Sequence, residues 1–374
     1  MKNWRYIEEH NVSASYGLAT DEYLTNAQSS TSLPVSLRLY TYHNYSALSG
    51  RFQHINAEID IEKCQEEGFD YSRRLTGGGA IIMGENQLGI CIAASAQAFQ
   101  WQQVRELYEL FSKPIINALS KLGIEASFRS KNDLEVNNKK IAGLGVYLSP
   151  EGNIQFHTSL LIDMDIPNMM KVLKIPIQKY SDKKKIASVS QRLTSISKEL
   201  GRTIERSVVI EAIKNSYAEF FEIELELLAI SEEERAAINQ IEIERYNNNE
   251  WIFQNSPQAD MTGMSVNKIP EGMLRTYIGL KGNTIKSVLI TGDFMDQVEV
   301  FSAIEMALKW SPLEKENIER VVSDVLAKYS TSSIKTEDIV GAIWRAGQRA
   351  MAAERYTYNG TCYYPKVQES VSES

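Results

Sequence analysis

The sequence predicts an α/β protein of the α+β type, with a first domain of mixed β-sheets and surrounding helices followed by a small α+β domain. The 374 residues are too many for one ordinary hydrophobic core. Strand-like and helix-like patterns of apolar residues follow each other along the chain. The asparagine-rich stretch "NNNEWIFQNSP" (247–257) has the composition of a domain boundary. We therefore expect a first domain over residues 1–245, a linker over 246–257, a second domain over 258–352 and a largely irregular tail over 353–374.

The composition is that of a globular protein without a membrane segment or a metal-binding motif. Hydrophobic residues make up 43% and charged residues 24% of the chain, and the net charge of -8 argues against a surface that binds nucleic acid throughout. The three cysteines and four histidines have the spacing of neither a disulfide framework nor a zinc site. No apolar run reaches the roughly 20 residues that span a bilayer, and "MKNWRYIEEHNVSASYG" lacks the apolar core of a secretory signal. We expect a cytoplasmic protein.

Helices and strands alternate in the first part of the chain. Residues 13–29 have apolar positions at helical spacing, and "SLRLYTYH" alternates as a strand does. "EIDIEKCQEEG" predicts a short helix that ends at a glycine, "NQLGICIAAS" predicts a strand, and "QWQQVRELYELFSKPIINALSKLG" predicts a long amphipathic helix that ends at Gly123. The following short strands are broken by Asn-Asn, Ser-Pro-Glu-Gly and Gly-Leu-Gly, which predicts β-hairpins.

Helical patterns dominate from Pro167 to about Tyr246. They are interrupted by the lysine- and serine-rich stretch "PIQKYSDKKKIASVSQRL", which predicts a mobile loop. In the second domain, "MLRTYIGLKGNTIKSVLITGDF" predicts two strands joined by a Lys-Gly-Asn turn, and three helices follow as far as about Ala352. The polar ending "VQESVSES" predicts disorder.

The stretch "RRLTGGGAIIMG" (73–84) is the first candidate for a ligand site, because it places two cations beside three glycines. Glycine loses more backbone freedom on folding than any other residue, so three in a row are costly to order. Their advantage is that a ligand can approach the backbone closely. An anion or a narrow ligand fits this combination of charge and space.

Four segments, in this order and spacing, resemble the lipoate–protein ligase family: "RRLTGGGAIIMG", "KNDLEVNNKKIAG", "HTSLLIDMD" and "DKKKIASVSQRLTSI". "LSGRFQHINAEIDIEKC" and "GNTIKSVLITGDF" agree with it as well, so the resemblance runs over about residues 13–350. It implies the fold shared by lipoate ligases, biotin protein ligases and octanoyl transferases, with a catalytic acyl-adenylating first domain and a C-terminal accessory domain.

The chemistry that this resemblance implies has two steps. Lipoate, or a similar short acyl chain, is activated with ATP and Mg²⁺ to lipoyl-AMP, and a lysine of an acceptor protein then takes the acyl group. The implied partners are lipoyl-domain proteins, namely acyltransferase subunits of 2-oxoacid dehydrogenases or the glycine-cleavage H protein, with no role for nucleic acid or membrane.

The resemblance also assigns roles to single residues. Lys140 corresponds to the essential lysine, which stabilises charge during adenylation, and Asp133 to the Mg²⁺ ligand. The lipoate- and adenylate-binding positions are Arg74, Thr76, Gly77, Gly78, Gly79, Gln87, Asn132, Lys140, Gly143, Gly145, His157, Ser188 and Arg192. Arg74 would bind acyl or phosphate oxygens, and the three glycines would aim N–H groups at the ligand.

Each motif also has a plain structural interpretation. The glycines with their arginines would form a solvated turn, Asn132 and Asp133 a turn pair, and the lysines a solvated surface. A lone histidine such as His157 is more often packed than functional.

The sequence departs from the family pattern at two places in the expected pocket. Met83-Gly84 stands where His-Asp is usual, with Gln87 where asparagine is common, and Gly143-Leu144-Gly145 stands where the pattern reads glycine, serine, alanine. These changes leave the acyl chain length open.

Two other functions stay open. The first is an ATP-independent octanoyl or lipoyl transferase of the same fold, which works through a cysteine thioester. The stretch "EASFRSKN", where such enzymes carry the cysteine, has none, and this favours the ligase. The second is a non-catalytic protein that binds lipoate.

Overall fold

The computed structural model describes residues 2–29, 34–129, 132–174, 189–294, 298–329 and 334–355 of the chain. The chain divides into two compact units, Met1–Ser256 and Pro257–Ser374. The first has mixed sheets with surrounding helices and the second a small sheet with helices, which confirms the predicted fold class. Most of the predicted mobile loop, residues 175–188, and the tail from residue 356 lie outside the described residues.

The strands of the first unit form two sheets. In chain order they are β1 (Lys2–Val12), β2 (Ser36–Tyr42), β3 (Ser46–Ser49), β4 (Asp70–Arg73), β5 (Ile81–Met83), β6 (Gln87–Ser95), β7 (Ser127–Arg129), β8 (Asp133–Val136), β9 (Lys139–Leu148), β10 (Asn153–Leu161) and β11 (Ile223–Leu227). The large sheet has the order β11-β1-β2-β6-β10-β9-β8-β7, and the small one has the order β4-β3-β5. The central strands β2 and β6 are buried along nearly their whole length, and β2 carries the charged Arg38 on one of its buried faces.

Helices surround these sheets. In the first unit they are α1 (Ala14–Ala27), α2 (Ile55–Glu58), α3 (Ile61–Glu67), α4 (Val104–Lys121), α5 (Ile166–Met169), α6 (Ile196–Leu200), α7 (Arg206–Phe221), α8 (Glu232–Ile241) and α9 (Asn249–Ile252). Ser13 begins α1 by accepting the Tyr16 N–H at its side chain, and Gly68 ends α3 in the left-handed conformation at φ 72°. These helices confirm the predicted ones at 13–29 and before Gly123. No described helix is both long enough and apolar enough to cross a membrane.

The hairpin of β8 and β9 is built as its turn residues predict. Asn137 and Asn138 have φ angles of 50° and 61°, the signs that a two-residue type I′ turn requires. The predicted break at Gly143-Leu144-Gly145 is wrong, because β9 runs through these residues without interruption. The glycines serve side-chain packing at that point rather than a turn.

Two strands of the large sheet are not predicted from the sequence. β1 and β11 pair in parallel with each other, with Lys2 opposite Ile223 and Tyr6 opposite Leu227. The end of β1 is polar and contains a register shift, with Asn11 at φ 56°, which hides its alternation. β11 follows α7 directly, and four of its five residues are at least partly exposed. Neither strand therefore has a clear hydrophobic pattern.

The predicted linker differs most from the observed structure. A π-helical turn (Glu242–Tyr246) leads into α9, and both pack on the first unit. Tyr246 and Ile252 are buried, with 1% and 5% of their surface exposed. Residues 246–256 thus belong to the first unit, because apolar side chains between the asparagines bury themselves there. We call residues 246–256 the closing segment.

The second unit is a four-stranded antiparallel sheet with three described helices. Its elements are β12 (Gly263–Ile269), β13 (Gly272–Lys281), β14 (Thr284–Gly292), α10 (Val298–Leu308), β15 (Ser311–Pro312), α11 (Lys315–Leu326) and α12 (Thr336–Arg355). The predicted strand pair and the three helices are confirmed. The sequence does not predict β12, since its buried face carries Gly263 and Ser265 while Met264 and Val266 are exposed.

Candidate active site

The two adjacent arginines of the glycine motif point in opposite directions. Arg73 is the last residue of β4, and consecutive side chains of a strand lie on opposite faces. The Arg73 guanidinium donates to backbone carbonyls of residues 50–53 and of the closing segment. Arg74 instead faces the residues that follow it, in the loop of three glycines. The two cations therefore have different tasks.

Arg74 binds the glycine loop from inside the protein. Its Nη1 donates to the Leu48 carbonyl at 2.7 Å, and its Nη2 donates to the carbonyls of Gly77 and Gly79 at 3.3 and 2.9 Å. Burial lowers the pKa of Arg74 to about 10, so it remains a cation at neutral pH. Its buried Nε–H has no acceptor among the described residues. The residue lines the cavity described below.

The glycine loop is held through its carbonyl groups. Gly78 has φ 90°, and its carbonyl packs so closely on Gly50 that a Cβ at residue 50 would lie 1.9 Å from the oxygen. Within the described part of the chain, no acceptor lies on the N–H groups of Gly77, Gly78 and Gly79. The loop therefore keeps its donors free, as an anion-binding loop requires.

Thr76 and His157 form a hydrogen-bonded pair next to this loop. The Thr76 Oγ1 and His157 Nε2 atoms lie 2.8 Å apart. Burial, with a smaller effect of the Arg74 charge, lowers the pKa of His157 to about 3, so the imidazole is neutral at physiological pH. A Cβ at residue 145 would lie 2.5 Å from His157 Nε2. Gly145 therefore makes the space in which the imidazole reaches Thr76.

Lys140 and Asp133 form an ion pair across the β8–β9 hairpin. Lys140 Nζ lies 2.7 Å from Asp133 Oδ1, and each side chain is about one-third exposed (30% and 29%). A Cβ at residue 143 would lie 2.8 Å from Lys140 Nζ, so Gly143 lets the lysine side chain lie along the strand. The ammonium is thus fixed close to the sheet while it remains accessible to a ligand.

The segment around Arg192 supports Lys140 from the other side. The backbone N–H of Lys140 donates to the Arg192 carbonyl at 2.8 Å, and the Thr194 N–H donates to the Lys140 carbonyl at 2.9 Å. The Arg192 side chain itself is exposed. Asn132 is held by its Nδ2, which donates to the Leu144 carbonyl at 3.2 Å.

These residues surround one narrow cavity of about 120 Å³. Its lining residues are Leu18, Tyr40, Tyr42, Leu48, Arg74, Thr76, Gly77, Gly78, Gly79, Ala80, Ile81, Met83, Asn132, Lys140, Gly143, Leu144, His157, Thr158 and Ser159. Most of the apolar and aromatic lining residues are buried, and so are the polar Arg74, Thr76 and Thr158, while the Lys140 side chain is 30% exposed. The cavity thus combines an apolar and aromatic wall with one buried and one partly exposed cation.

The structure brings together most of the residues predicted from the sequence. Gln87 is an exception, because it lies buried at the start of β6, opposite Leu161, and does not line the cavity. Asp133, Gly145 and Arg192 do not line it either, and each lies next to a residue that does, Lys140 or His157. Ser188 lies outside the described residues. The lining residues Tyr40, Tyr42 and Thr158 are not predicted, since alternation in a buried strand does not distinguish a cavity wall from the core.

A buried polar network supports the aromatic wall of the cavity. The Tyr40 hydroxyl donates to Asp21 Oδ2 at 3.0 Å, and Arg38 Nη1 donates to Asp21 Oδ1 at 2.7 Å. Neither charged side chain is exposed to solvent. The Arg38 guanidinium also lies 4.0 Å from the centre of the Tyr40 ring. These contacts fix the orientation of Tyr40.

No cysteine among the described residues lines the cavity. Cys64 and Cys91 are buried and free. Burial raises the pKa of Cys64 to about 12 and that of Cys91 well above its usual value, the latter also through the charge of Asp21. Both thiols are therefore protonated and poor nucleophiles. Cys362 lies outside the described residues.

Comparison with known proteins identifies the family. The family model of the lipoyl protein ligase A/B catalytic domain matches residues 13–218, more than half of the chain. The chain belongs to this family. The resemblance read from the sequence is therefore confirmed. A second model, the C-terminus of bacterial lipoate protein ligases, matches residues 260–343.

Curated members of the ligase A/B family that resemble this chain carry two different names. The lipoate-protein ligase LplJ of Bacillus subtilis is 28% identical over 345 residues, which cover 91% of this chain and 99% of LplJ. The octanoyltransferase LipM of Brevibacillus brevis is 27% identical over 274 residues, which cover 67% of this chain and 99% of LipM. The similarity thus assigns an enzyme family of lipoate ligases and octanoyl transferases.

Solved structures of the family show the same fold. A bipartite lipoate protein ligase of Thermoplasma acidophilum, described with its E2 lipoyl domain, has a TM-score of 0.62 and 22% identity. The match covers 69% of this chain and 99% of that one. The predicted ligase-like fold is confirmed.

Proposed function

We propose that the protein joins lipoate, or a similar short acyl chain, to a lysine of a lipoyl-domain protein in an ATP-dependent reaction through lipoyl-AMP. The observation that carries the proposal is the Lys140–Asp133 ion pair at a cavity whose described lining holds no thiol. A ligase needs a fixed cation and a carboxylate at this position, whereas a thioester transferase needs an activated cysteine.

The residues of the cavity have the chemistry that the first half-reaction requires. The apolar and aromatic wall takes the acyl chain, and the Arg74 cation and the loop N–H groups stabilise the oxygens of its carboxylate and of the phosphates. One carboxylate oxygen attacks the α-phosphorus of ATP, and pyrophosphate leaves. Lys140 changes partner from Asp133 to the reacting oxygens and stabilises the charge that develops there.

A single carboxylate fits a magnesium ion that is bound together with nucleotide. Among the described residues no three metal-binding side chains cluster, so a metal held by protein alone is not built here. Mg²⁺ is commonly held by one or two carboxylates plus substrate phosphates and water. Asp133 would supply that carboxylate, and the ion would supply charge neutralisation for the triphosphate.

In the second half-reaction a lysine amine of the acceptor attacks the acyl carbonyl of lipoyl-AMP. The new amide bond forms, AMP leaves, and the amine loses a proton. In the free protein His157 is neutral at physiological pH because burial lowers its pKa to about 3. The acceptor is a lipoyl-domain protein, by analogy with the archaeal ligase that is described with its E2 lipoyl domain.

The second candidate is an octanoyl or lipoyl transferase that uses a thioester donor without ATP. The similarity to LipM supports it. The match of residues 260–343 to a ligase C-terminus and the 91% coverage by LplJ favour the ligase. The LipM match covers only 67% of this chain.

The experiment that separates the two candidates follows the mass of a lipoyl-domain acceptor. The protein is supplied either with lipoate, ATP and Mg²⁺ or with an octanoyl thioester alone, and lipoate-dependent ATP–pyrophosphate exchange is measured in parallel. We expect exchange and acceptor modification only with ATP. Modification by the thioester alone, without exchange, would overturn the ligase proposal.

A cysteine-free variant is the matched test of mechanism. Cys64→Ala, Cys91→Ala and Cys362→Ser together remove every thiol of the chain. If this variant folds, we expect it to keep ATP-dependent lipoylation, because no thiol takes part. Loss of all acyl transfer in the folded variant would contradict the mechanism.

A further inference from the structure

Arg73 makes an unusual set of contacts for a residue next to a catalytic loop. Its side chain is fully buried and has no carboxylate partner among the described residues. All three of its nitrogens donate to backbone carbonyls. The six acceptors are Gly50 (3.0 Å), Arg51 (2.8 Å), Gln53 (2.7 Å), Trp251 (3.0 Å), Ile252 (3.0 and 2.8 Å) and Gln254 (2.9 Å).

These acceptors belong to two segments that are far apart in sequence. One is the turn at residues 50–53, and the other is the closing segment, 246–256. The closing segment also accepts the Ser72 hydroxyl at the Tyr246 carbonyl, and the Trp251 indole N–H donates to the Arg73 carbonyl at 3.0 Å. The side chain and backbone at residues 72–73 are thus both bonded to the closing segment.

The turn at residues 50–53 continues this chain of contacts to the glycine loop. The backbone of Gly50 packs directly on the Gly78 carbonyl, and the Arg51 N–H donates to the Thr76 carbonyl at 2.9 Å. Interior packing is too dense for one of these segments to shift alone. A displacement of the closing segment would therefore reach the glycine loop through Arg73 and this turn.

We propose that Arg73 is a positioning residue, which sets the geometry of the glycine loop by bonding it to the closing segment. Arg73 touches none of the cavity, so it acts through Gly50, Gly78 and Arg74. The closing segment is the last part of the first unit before Pro257, where the second unit begins. The loop geometry therefore depends on the stretch of chain that joins the units.

The test replaces Arg73 with lysine and measures amide hydrogen exchange without any ligand. Lysine keeps the charge but has three donors on one nitrogen, so at least three of the six carbonyls lose their partner. We expect exchange to become at least about tenfold faster in both residues 74–80 and residues 246–256. Arg5→Lys is the matched control, since Arg5 also donates to two carbonyls, those of Leu228 and Ala229. It should leave both segments at the wild-type rate.

A kinetic measurement, which rests on the proposed function, distinguishes a positioning role of Arg73 from a role in stability alone. In Arg73→Lys we expect kcat of lipoate-dependent ATP–pyrophosphate exchange to fall about 10²-fold while KM changes much less, because a small misplacement of the reacting groups has that effect. Arg5→Lys should change neither. If the wild-type protein shows no exchange activity, the proposed function fails, and the hydrogen-exchange result still decides the role of Arg73.

A second variant keeps the inference testable if Arg73→Lys does not fold. Trp251→Phe removes the indole N–H bond to the Arg73 carbonyl and keeps a smaller aromatic ring beside Arg245 and Tyr246. We expect faster exchange in residues 74–80 as well as in the closing segment. Faster exchange in the closing segment alone, in either variant, would overturn the proposal, since Arg73 would then stabilise that segment without positioning the loop.

Discussion

Changing Gly145 to alanine should uncouple His157 from Thr76. The added Cβ would lie 2.5 Å from His157 Nε2 and 2.6 Å from Cδ2, closer than real Cβ contacts come. The backbone is not in the left-handed region at this residue, so alanine causes no conformational strain. The imidazole must therefore turn away, and its 2.8 Å hydrogen bond to Thr76 is lost.

The lost hydrogen bond and the displaced buried imidazole cost about 1 kcal/mol each, and the restriction of the unfolded chain by alanine offsets about 0.4 to 1 kcal/mol of this. We expect Gly145→Ala to lower the free energy of unfolding by about 1 kcal/mol. For a unit of this size that corresponds to a fall of about 2 to 4 °C in Tm. Thermal unfolding and denaturant titration of the variant measure it.

Gly145→Ala should raise the free energy of unfolding, instead of lowering it, once the His157 imidazole has been removed. In a His157→Ala background the two atoms closest to the added methyl are gone, and Thr76 Oγ1, at 3.1 Å, needs only a small shift. Replacing glycine by alanine then restricts the unfolded chain and stabilises by about 0.4 to 1 kcal/mol. Equal effects of Gly145→Ala in both backgrounds would show that His157 does not occupy this space, and our account of Gly145 would be refuted.

Three further predictions concern other parts of the site. Lys140→Ala should reduce adenylate formation by about 10² to 10³-fold, whereas Lys139→Ala should reduce it only slightly, because Lys140 is the lysine that pairs with Asp133. Equal rates of pyrophosphate exchange in the two variants would contradict this. The pKa of His157 is lowered in the folded state, so the unfolded chain binds the extra proton and stability should fall as pH drops from about 6.5 towards 3. His157→Gln should flatten that acid limb in denaturation curves. Removing one partner of the buried Arg38–Asp21 pair, as in Asp21→Asn, should cost about 3 to 5 kcal/mol in denaturant titration, and a cost below about 1 kcal/mol would argue against a charged pair.

The sequence predicts the site better than it predicts the edges of the sheets. Arg74, Lys140 and His157 are recognised because the short segments around them resemble those of the ligase family. β1 and β11 are missed because they are paired with each other across about 220 residues and have weak alternation of their own. Long-range pairing of this kind leaves no local signal.

The roles of Gly143 and Gly145 also cannot be inferred from the local sequence. Gly143 and Gly145 look like a strand break, yet they lie inside β9 because Lys140 and His157 occupy the space above them. The same limit applies to the closing segment, whose asparagines suggest a linker. Its attachment depends on the carbonyls that Arg73 binds, and carbonyls are present in every sequence.

Under the proposed function, the Lys140–Asp133 pair keeps the reactive cation in place before its ligand arrives. Both side chains are about one-third exposed, and an ion pair of that kind contributes only about 0 to 1 kcal/mol. Breaking it therefore adds little to the cost of binding a nucleotide. Gly143 leaves the space in which the lysine side chain lies against β9, with its ammonium next to Asp133. Under the proposed function, Asp133 holds Lys140 weakly in the free protein, and the ligand takes both partners at once.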